Sequence, residues 1–519
     1  MHTLERIIIL DFGSQYTQLI ARRLREMQVY TEILPPDTTM TEIEMNLPKG
    51  IILSGGPSSS GTHDFNFDPK ILHSNIPLLG ICFGMQLMNT LNDGQVTPMN
   101  RGEYGKQKVS LDSKSLLFNG MQKKETVWMS HGDSITELAN CYEKIATSDD
   151  NLIAAIEHKN RPQFGLQFHP EVSHTVNGEL FLKNFIHVCN CQCDWDMHHC
   201  IEIVKDEIRK QVGDGRVISL ISGGVDSTAS TLLCYEALGK EKVFPIHIDN
   251  GLMRKNESQQ VLKILKEHGF TNIDFVDASD RFLNALKGIS EPETKRKIIG
   301  NHFIELLEQE VNKFDTKDGK TFICQGTLYT DLIESGKGCG KSAAVIKSHH
   351  NVNPPTVEEK RRKGLIVEPN KHIFKDEVRK VCEVLGVPNS LAWRHPFPGP
   401  GLAIRIIGEI TKKRLNTLRE ADEIYLEEIT NAGWYDKIWQ AFAILIPVNT
   451  VGVMGDKRTQ GHVISLRAVS SKDGMTADFS ELPYDILSRV STRIINEVES
   501  VNRVVYDVTS KPPGTIEWE

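Results

Sequence analysis

The stretch Pro77-Leu-Leu-Gly-Ile-Cys82-Phe-Gly84-Met-Gln86 carries an apolar strand directly into a helix, with a cysteine at the turn. A second stretch, Val217-Ile-Ser-Leu-Ile-Ser222-Gly-Gly-Val-Asp-Ser-Thr228, repeats the pattern with a glycine-rich turn. Aliphatic runs that end in glycine and polar residues are typical of parallel strands, whose carboxyl ends hold ligands in α/β folds. The two stretches therefore predict two α/β units, each with a ligand site at a strand-to-helix turn.

Short aliphatic runs alternate with helical segments around both turns. One such run, Ile7–Leu10, precedes the cysteine, and another, Val243–Ile248, follows the glycine-rich turn. From Arg394 the sequence changes, because a proline-rich stretch leads into a mixture of helix and alternating strand. We therefore predict an α/β protein with two doubly wound parallel-sheet domains and a smaller α+β C-terminal domain, at residues 5–194, 195–394 and 395–519.

The composition limits the classes of partner. The chain of 519 residues is long enough for two or three domains. It has 60 Lys and Arg against 68 Asp and Glu, a formal charge of −8, which gives no reason to expect nucleic acid. No apolar run approaches the roughly 18 residues of a membrane helix, and the first residues run directly into a strand, leaving no room for a signal peptide. We expect a cytoplasmic protein with no membrane partner.

The ten cysteines do not indicate a disulfide scaffold in a chain of this length. The cluster Cys189-Asn-Cys191-Gln-Cys193 resembles a metal-binding tract, but its Cys-x-Cys spacing differs from the Cys-x₂₋₄-Cys of structural zinc sites. We interpret the cluster as the end of one domain, with reduced thiols.

Cys82 has the setting of a nucleophile. The glycines on either side permit a tight strand-to-helix turn, and the helix N-terminus favours the thiolate. Taken alone, the pattern also fits a structural turn with a buried cysteine. A thiol nucleophile needs a base and an acceptor that orients the base, and Phe168-His169-Pro-Glu171 supplies both.

Two further stretches belong to the same predicted site. Ser54-Gly-Gly56-Pro follows a neighbouring strand, so the backbone N–H of Gly56 is a candidate oxyanion donor beside the N–H of Phe83. His131, in the polar sequence Trp128-Met-Ser-His-Gly-Asp133, is an alternative base. We interpret it instead as a loop histidine whose hydrogen bonds are satisfied.

Together these motifs resemble the class I glutamine amidotransferases, in the order found in that family, over roughly residues 5–194. The resemblance implies that Cys82 attacks the side-chain amide of glutamine, that His169 protonates the departing ammonia, and that Glu171 holds the imidazole. It also implies a set of glutamine-binding residues, three of them in one turn: Gln86, and then Ser130, Gly132 and Asp133.

The second stretch predicts a phosphate site. It is not a Walker loop, because Gly-Lys-[Ser/Thr] is missing. It still opens a helix after a buried strand, with two glycines for close backbone approach and hydroxyls for phosphate oxygens. Asp226 is oddly placed for direct contact with an anion, which suggests that it meets phosphate through Mg²⁺. An ordinary glycine-rich turn is the alternative.

This string resembles the loop of ATP pyrophosphatases, which split ATP into AMP and pyrophosphate. Two neighbouring strand ends, at Asp249 and Gly326, then fall where the adenosine should lie. The ATP-binding residues that the resemblance implies are Ser222, Gly223, Gly224, Val225, Asp226, Ser227, Thr228, Asp249 and Gly326.

The order of the two units and the C-terminal module resembles the GMP synthase family over essentially the whole chain, as does the terminus Lys511-Pro-Pro-Gly-Thr-Ile-Glu517-Trp-Glu519. The resemblance implies that ATP adenylates xanthosine 5′-monophosphate (XMP) at O2 and that ammonia from glutamine displaces AMP to give GMP. It implies a homodimer formed through the C-terminal domain. It also assigns XMP binding to Arg281, Gln440, Asp456, Lys511 and Glu517, each of which taken alone is more often a member of a surface ion pair.

The sequence leaves the role of one stretch undecided and allows three alternative functions. The glycine-rich basic stretch 333–351 is either a lid over the phosphates or a surface loop. Another glutamine-dependent ATP pyrophosphatase would aminate an NAD-type precursor or an amino acid, but the terminal module does not support it. An RNA-thiolating enzyme would need a tRNA-binding surface and a persulfide cysteine, which the acidic charge and scattered cysteines do not favour. A glutamine sensor would not need the complete triad.

Overall fold

The computed structural model describes residues 5–57, 66–314, 320–328, 355–454, 456–471 and 476–519. These residues form two compact units, one that ends at Cys200 and one that begins at Ile201. No helix within the described ranges is long and apolar enough to cross a membrane.

The first unit is built on one nine-stranded sheet. Its strands are β1 (Arg6–Leu10), β2 (Tyr30–Leu34), β3 (Gly50–Leu53), β4 (Leu78–Ile81), β5 (Gln95–Leu111), β6 (Lys124–Glu137), β7 (Tyr142–Ser148), β8 (Ile153–His158) and β9 (Gln163–Leu166). They lie in the order β2-β1-β3-β4-β9-β8-β7-β5-β6. Its helices are α1 (Thr17–Glu26), α2 (Met40–Met45), α3 (Lys70–His73), α4 (Phe83–Thr90) and α5 (Gly178–Val188), with a 3₁₀ turn at Leu116–Phe118.

Part of this sheet was predicted and part was not. Strands β1 to β4 and β9 pair in parallel, as the sequence predicts. Every residue of β3, β4 and β9 is buried, which is the pattern of parallel strands covered on both faces. Strands β5 to β9 pair antiparallel and extend the sheet on one side. The sequence analysis missed this extension, because β6 alternates buried and exposed residues rather than forming an aliphatic run.

The second unit begins with a five-stranded parallel sheet. Its strands are β10 (Arg216–Leu220), β11 (Val243–Asp249), β12 (Asp274–Asp277), β13 (Thr321–Cys324) and β14 (Ile366–Val367), in the order β12-β11-β10-β13-β14. The helices of this part, of which the first crosses the boundary between the units, are α6 (Met197–Val212), α7 (Val225–Leu238), α8 (Glu257–Glu267), α9 (Ser279–Ala285), α10 (Pro292–Phe314), α11 (Pro355–Arg362), α12 (Lys375–Val384) and α13 (Asn389–Ala392). The predicted doubly wound parallel sheet is therefore present.

The C-terminal part mixes helices with a four-stranded sheet, as predicted. It contains α14 (Lys412–Asn431), α15 (Tyr484–Glu497), β15 (Gln440–Met454), β16 (Lys457–Ser470), β17 (Asp478–Phe479) and β18 (Val501–Tyr506). Strands β15 and β17 pair antiparallel with β16, and β18 pairs with it in parallel. The 3₁₀ turns of this unit are Lys240–Lys242, Gly401–Arg405 and Tyr435–Lys437.

One hydrophobic core joins the two parts of the second unit. Ile218 and Ile246 from the parallel sheet belong to the same buried cluster as Leu418 of α14 and Ala441 of β15. Because they share a core, the parallel sheet and the C-terminal part stabilise each other by apolar burial.

The last residue of the chain is fixed to this unit. Lys295 of α10 is fully buried and donates to the carbonyl oxygens of Ala403 at 3.2 Å and Ile406 at 2.9 Å. The same ammonium forms an ion pair with the Glu519 side chain, which also accepts from the N–H of Gly408 at 3.1 Å. The tail therefore has charged anchors in the body of the unit, and it is not a frayed chain end.

Candidate active site

Cys82 occupies the sharp turn between β4 and α4. Its backbone has φ +52° and ψ −105°, a conformation that residues with a Cβ rarely adopt. A Cβ at Gly80 would lie 2.6 Å from backbone atoms of the following helix, and one at Gly84 would lie 2.4 Å from the Leu53 carbonyl oxygen. Both glycines are therefore required for the turn, and the predicted nucleophile elbow is present.

His169 and Glu171 lie beside this turn. The Nδ1 atom of His169 is 2.7 Å from the Oε1 atom of Glu171, and the imidazole is hydrogen-bonded to the Cys82 side chain. Both residues are buried. Burial lowers the pKa of His169, but the Glu171 carboxylate and the Cys82 thiol outweigh that effect and raise it to about 10. The geometry thus favours an imidazolium next to the sulfur, oriented by the carboxylate.

The glycines after β3 pack closely against the same histidine. A Cβ on Gly55 would lie 3.3 Å from the Cε1 atom of His169, and one on Gly56 would lie 2.7 Å from the Phe12 carbonyl oxygen. Phe83 is the first residue of α4, directly after Cys82. Gly56 and Phe83, the two predicted oxyanion donors, thus both lie on backbone that borders the catalytic residues.

The predicted turn at residues 130–133 was wrong, because these residues belong to β6. The register between β5 and β6 shifts from Pro98↔Asp133 to Glu103↔His131, so several residues of β5 bulge opposite Gly132. The bulge directs backbone carbonyls toward the helix. The Asp133 carbonyl accepts from Gln86 Nε2 at 2.9 Å, and the Ser130 carbonyl lies 3.9 Å from Cys82 Sγ. The structure therefore brings the predicted glutamine-binding residues together.

His131 is a satisfied histidine, as expected, but it lies in a strand rather than in a loop. Its ring is buried, with Nε2 3.0 Å from Glu103 Oε2 and Nδ1 2.9 Å from the Asp133 carbonyl oxygen. Both ring nitrogens are engaged, so this residue supports β6 and is not a second base.

The predicted ATP loop forms the start of α7. Gly224 caps the helix without a side-chain hydrogen bond, and Gly223 has φ +80°. The first N–H groups of a helix have no intrahelical acceptor and attract anions. Ser222 and Ser227 line the turn with hydroxyls 3.2 Å apart. The loop therefore has the form of a phosphate site at a helix N-terminus.

The other predicted ATP residues surround this turn. Asp226 lies in the first turn of α7 and forms an ion pair with Lys375. A Cβ on Gly326 would be 3.4 Å from the Asp226 backbone, so the end of β13 adjoins the loop. Asp249 ends β11, and its Oδ1 accepts from the Gly251 N–H at 2.8 Å. Val225 and Thr228 are buried within the same helix.

The predicted XMP residues do not all lie together. The Gln440 side chain donates to Glu517 Oε1 at 2.9 Å, which joins the start of β15 to the tail. Arg281 instead contacts Glu305 and Gln309 of α10.

Two more of the predicted XMP residues lie elsewhere in the C-terminal part. Lys511 pairs through its backbone with Ala477. Asp456 lies in the turn between β15 and β16, at the other end of β15 from Gln440, about 40 Å along the strand. The stretch 333–351 lies outside the described residues.

Sequence reasoning missed several residues that hold these sites. Arg405 is fully buried and donates to both carboxylate oxygens of Glu517, at 2.8 and 3.1 Å. Gln167 contacts Cys82, and Lys375 contacts Asp226. A lone arginine inside the apolar run Leu402-Ala-Ile-Arg405-Ile-Ile is a signal that could have identified the first, because a buried charge requires a partner.

Comparison with known proteins places these observations in a family. Residues 8–189 match the model for glutamine amidotransferase class-I, residues 197–298 match that for NAD synthase, and residues 427–518 match that for the GMP synthase C terminal domain. The first unit is thus a class I glutamine amidotransferase domain. The rest of the chain matches domain models of two synthases.

Relatives cover the entire chain. A GMP synthase [glutamine-hydrolyzing] of Clostridium botulinum is 49% identical over 519 residues, which is 99% of each chain. One of Enterococcus faecalis is 49% identical over 521 residues, with 100% of this chain and 98% of the relative covered. A crystal structure described as a GMP synthase subunit of Thermoplasma acidophilum is 33% identical over 37% of this chain and 96% of its own, with a TM-score of 0.33. The chain belongs to the glutamine-hydrolysing GMP synthase family.

The backbone of Cys82 gives a testable consequence for stability. Strain of this kind costs about 1–3 kcal/mol, whereas glycine adds about 0.5–1 kcal/mol of unfolded-state entropy. We expect Cys82→Gly to melt about 2–4 °C above Cys82→Ala, which keeps the Cβ, in scanning calorimetry of the full chain. Cys141→Gly, at a position without positive φ, should melt below the unsubstituted protein. Equal melting of the two Cys82 variants would show that the turn is not strained.

Proposed function

We propose that this chain carries out glutamine-dependent GMP synthesis with Cys82 as the nucleophile of the glutaminase site and Ser222–Thr228 as the ATP loop. Glutamine, ATP and XMP are the substrates. The observation that carries the assignment is the buried arrangement of Cys82, His169 and Glu171 at a helix N-terminus. The match of residues 427–518 to the GMP synthase C-terminal model favours XMP over another acceptor.

In the glutaminase reaction, the Cys82 thiolate attacks the carboxamide carbon and the carbonyl electrons move to oxygen. The N–H groups of Gly56 and Phe83 are the proposed donors to that oxyanion. Its collapse breaks the C–N bond, and His169 gives its proton to the departing nitrogen, which leaves as ammonia. Water, deprotonated by His169, then hydrolyses the thioester to glutamate. The raised pKa of His169 keeps the imidazole protonated for the step that needs an acid.

Glutamine is held by the pocket between α4 and β6. Gln86 and the backbone of Ser130, Gly132 and Asp133 are its proposed contacts. The Tyr104 hydroxyl would lie 3.2 Å from a Cβ on Gly132, so glycine leaves space beside the pocket. A small residue at this position allows a substrate backbone to approach β6.

In the second unit, the first-turn N–H groups of α7 and the hydroxyls of Ser222 and Ser227 are the proposed ligands of the ATP phosphates. The residues present also fit a phosphate-bound Mg²⁺. Asp226 Oδ1 is buried and has no hydrogen-bond partner within the described ranges, while Oδ2 pairs with Lys375. One carboxylate together with phosphate oxygens is a common Mg²⁺ environment, and the ion would neutralise charge on the leaving pyrophosphate.

XMP binding is proposed at the junction of β15 and the tail. There Gln440 and Glu517 contact each other, and the carboxylate is fixed by Arg405. A carboxylate held in this way can accept hydrogen bonds from ribose hydroxyls or purine N–H groups. Lys511 and Arg281 are the proposed partners of the 5′-phosphate. Adenylation of XMP at O2 followed by attack of ammonia releases AMP and gives GMP.

The first test of this assignment separates the two sites. We expect Cys82→Ala to lose at least about a thousandfold in glutamine-dependent GMP formation, because the thioester cannot form. GMP formation from ammonium salts should be unchanged, since it needs only the second unit. Steady-state assays with XMP, ATP and Mg²⁺ measure both. Loss of both activities in a folded variant would contradict two separate sites.

The second test concerns Asp226. Asp226→Asn keeps the shape of the side chain but not its charge, so XMP-dependent exchange between pyrophosphate and ATP should fall by on the order of a hundredfold. Glutamine hydrolysis at the first site should persist. Asp206→Asn, which removes a carboxylate from an exposed ion pair with Arg209 on α6, is the matched control. Undiminished exchange in Asp226→Asn would assign the metal to other residues.

We also propose that the chain forms a homodimer through the C-terminal part, in the cytoplasm. Exposed apolar side chains lie there along two strands of one sheet, on β15 at Val448, Val451 and Val453 and on or just after β18 at Val505 and Val508. Burial of such a patch against a second copy is favourable. Asp456 lies at the other end of β15 from Gln440. In a dimer, Asp456 of one subunit could therefore contact XMP bound at Gln440 of the other.

Sedimentation equilibrium tests the dimer directly. We expect Val453→Asp, which places a charge at a residue that is 75% exposed, to convert the dimer to a monomer. Val176→Asp introduces the same charge at an exposed valine of the first unit and should leave the mass unchanged. A monomeric unsubstituted chain at micromolar concentration would contradict the proposal.

A further inference from the structure

Gln167 lies next to Cys82, directly after the neighbouring strand β9. The register of β4 and β9 ends at Ile81↔Leu166, so the residues that follow the two strands stand side by side. The Cys82 N–H donates to the Leu166 carbonyl at 2.6 Å, which continues the ladder to this point. The Gln167 residue is 1% exposed. A buried amide at this position requires hydrogen-bond partners.

Its partners form a chain with a fixed direction. The Asp133 carbonyl oxygen can only accept, so Gln86 must present its NH₂ group to it, at 2.9 Å. The same Nε2 donates to Gln167 Oε1 at 3.1 Å. Gln167 must therefore turn its own NH₂ group toward Cys82, where Nε2 lies 3.6 Å from Sγ. A backbone carbonyl thus determines that the sulfur receives a donor.

We propose that Gln167 is a further catalytic residue of the glutaminase site, whose amide N–H stabilises the thiolate form of Cys82. The inference rests on the proposed function, in which Cys82 is the nucleophile. A hydrogen bond to an ionised acceptor is stronger than one to its neutral form, so the amide favours loss of the thiol proton to His169.

The bond to Gln167 acts mainly before attack. Once sulfur bonds to the substrate carbon, its charge has moved to the oxyanion, and the amide donates to a nearly neutral thioether-like sulfur. The amide therefore increases the fraction of reactive thiolate more than it accelerates the attack of thiolate already formed. Its removal should shift the pH dependence of the site.

The other titratable groups near the sulfur are accounted for. His169 contacts Cys82, and Glu171 and the ring of Tyr16 pack against His169, the latter with ring centroids 5.0 Å apart. On β6, the strand that carries the Ser130 carbonyl, the nearby titratable residues are His131, whose ring contacts Glu103 and the Asp133 carbonyl, and Asp133. These groups are unchanged by substitution of Gln167, so a shift on substitution reports the amide.

The test is the pH dependence of alkylation of Cys82 by iodoacetamide in the full chain, read by mass spectrometry of the peptide that contains it. We expect Gln167→Met, which keeps the side-chain length without a donor, to raise the pH midpoint by about one unit. At a pH below both midpoints, the variant should therefore be alkylated about tenfold more slowly than the unsubstituted chain. The rate at high pH should be equal to or slightly above that of the unsubstituted chain.

Two further variants make the outcome decisive. Gln163→Met removes a fully buried amide at the start of β9, one that contacts Leu72 and Tyr142, and should leave the midpoint unchanged. Gln167→Glu keeps the volume but places an anion beside the sulfur, and should raise the midpoint further than Gln167→Met. If the Met variant does not melt cooperatively, Gln167→Leu, a second side chain without a donor and without a charge, decides the question.

The inference can fail independently of the proposed function. An unchanged midpoint in Gln167→Met and Gln167→Glu, with only a lower kcat for glutamine hydrolysis, would show that Gln167 merely packs against the turn and would overturn the inference. The assignment of Cys82 as nucleophile is tested by a different measurement. It would be wrong if Cys82→Ala kept glutamine-dependent GMP formation.

Discussion

Both candidate sites depend on one backbone constraint, a turn that must expose the first N–H groups of a helix directly after a buried strand. These groups have no acceptor within the helix and carry its positive end, so they stabilise an anion placed there. In the first unit the proposed anion is the thiolate of Cys82, the residue at the turn itself, at φ +52°. In the second unit the anion arrives with the ligand, so Gly223 can take the positive φ without strain. The same kind of turn thus places a cysteine at positive φ where a nucleophile is proposed and a glycine at positive φ where phosphate binding is proposed.

Buried charge organises the end of the chain. Lys295 and Arg405 have no exposed side-chain surface and pair with Glu519 and Glu517 respectively. Burial lowers the pKa of Lys295, and the Glu519 carboxylate opposes that effect. Removal of either partner would leave a buried charge, which is far more costly than the loss of a surface pair. Arg405 and Gln440 hold the Glu517 carboxylate within the protein, so little ordering entropy would be lost if this carboxylate contacts the proposed nucleotide.

The sequence was sufficient for features set by local chemistry. Aliphatic runs predicted the parallel strands, and the glycines predicted the turns, because a Cβ at Gly80 or Gly84 would meet backbone atoms and Gly223 has positive φ. The antiparallel extension and the bulge at Gly132 were missed, since register depends on which strands pair and not on either strand alone. Gln167 escaped notice for a related reason: its role comes from the register of β9 with β4. Arg405 could have been singled out as a charge in an apolar run, but its partner lies 112 residues further along the chain.

The two sites differ in their exposure, and the difference follows from what each must stabilise. In the first site the Cys82, His169 and Glu171 residues are 7%, 4% and 1% exposed. Low exposure removes water that would otherwise screen the attraction between Glu171 and the imidazole, and this attraction together with the contacts to Cys82 outweighs the desolvation of His169. In the second site Asp226 and Lys375 have side chains 31% and 46% exposed. A triphosphate is itself highly charged and well hydrated, so a site that binds it can be open to water before binding. A thiolate, in contrast, must be stabilised by the protein alone before glutamine binds. On the proposed assignment, this difference explains why Cys82 has buried partners in His169 and Gln167, whereas the second site offers backbone N–H groups, hydroxyls and the partly exposed pair of Asp226 and Lys375.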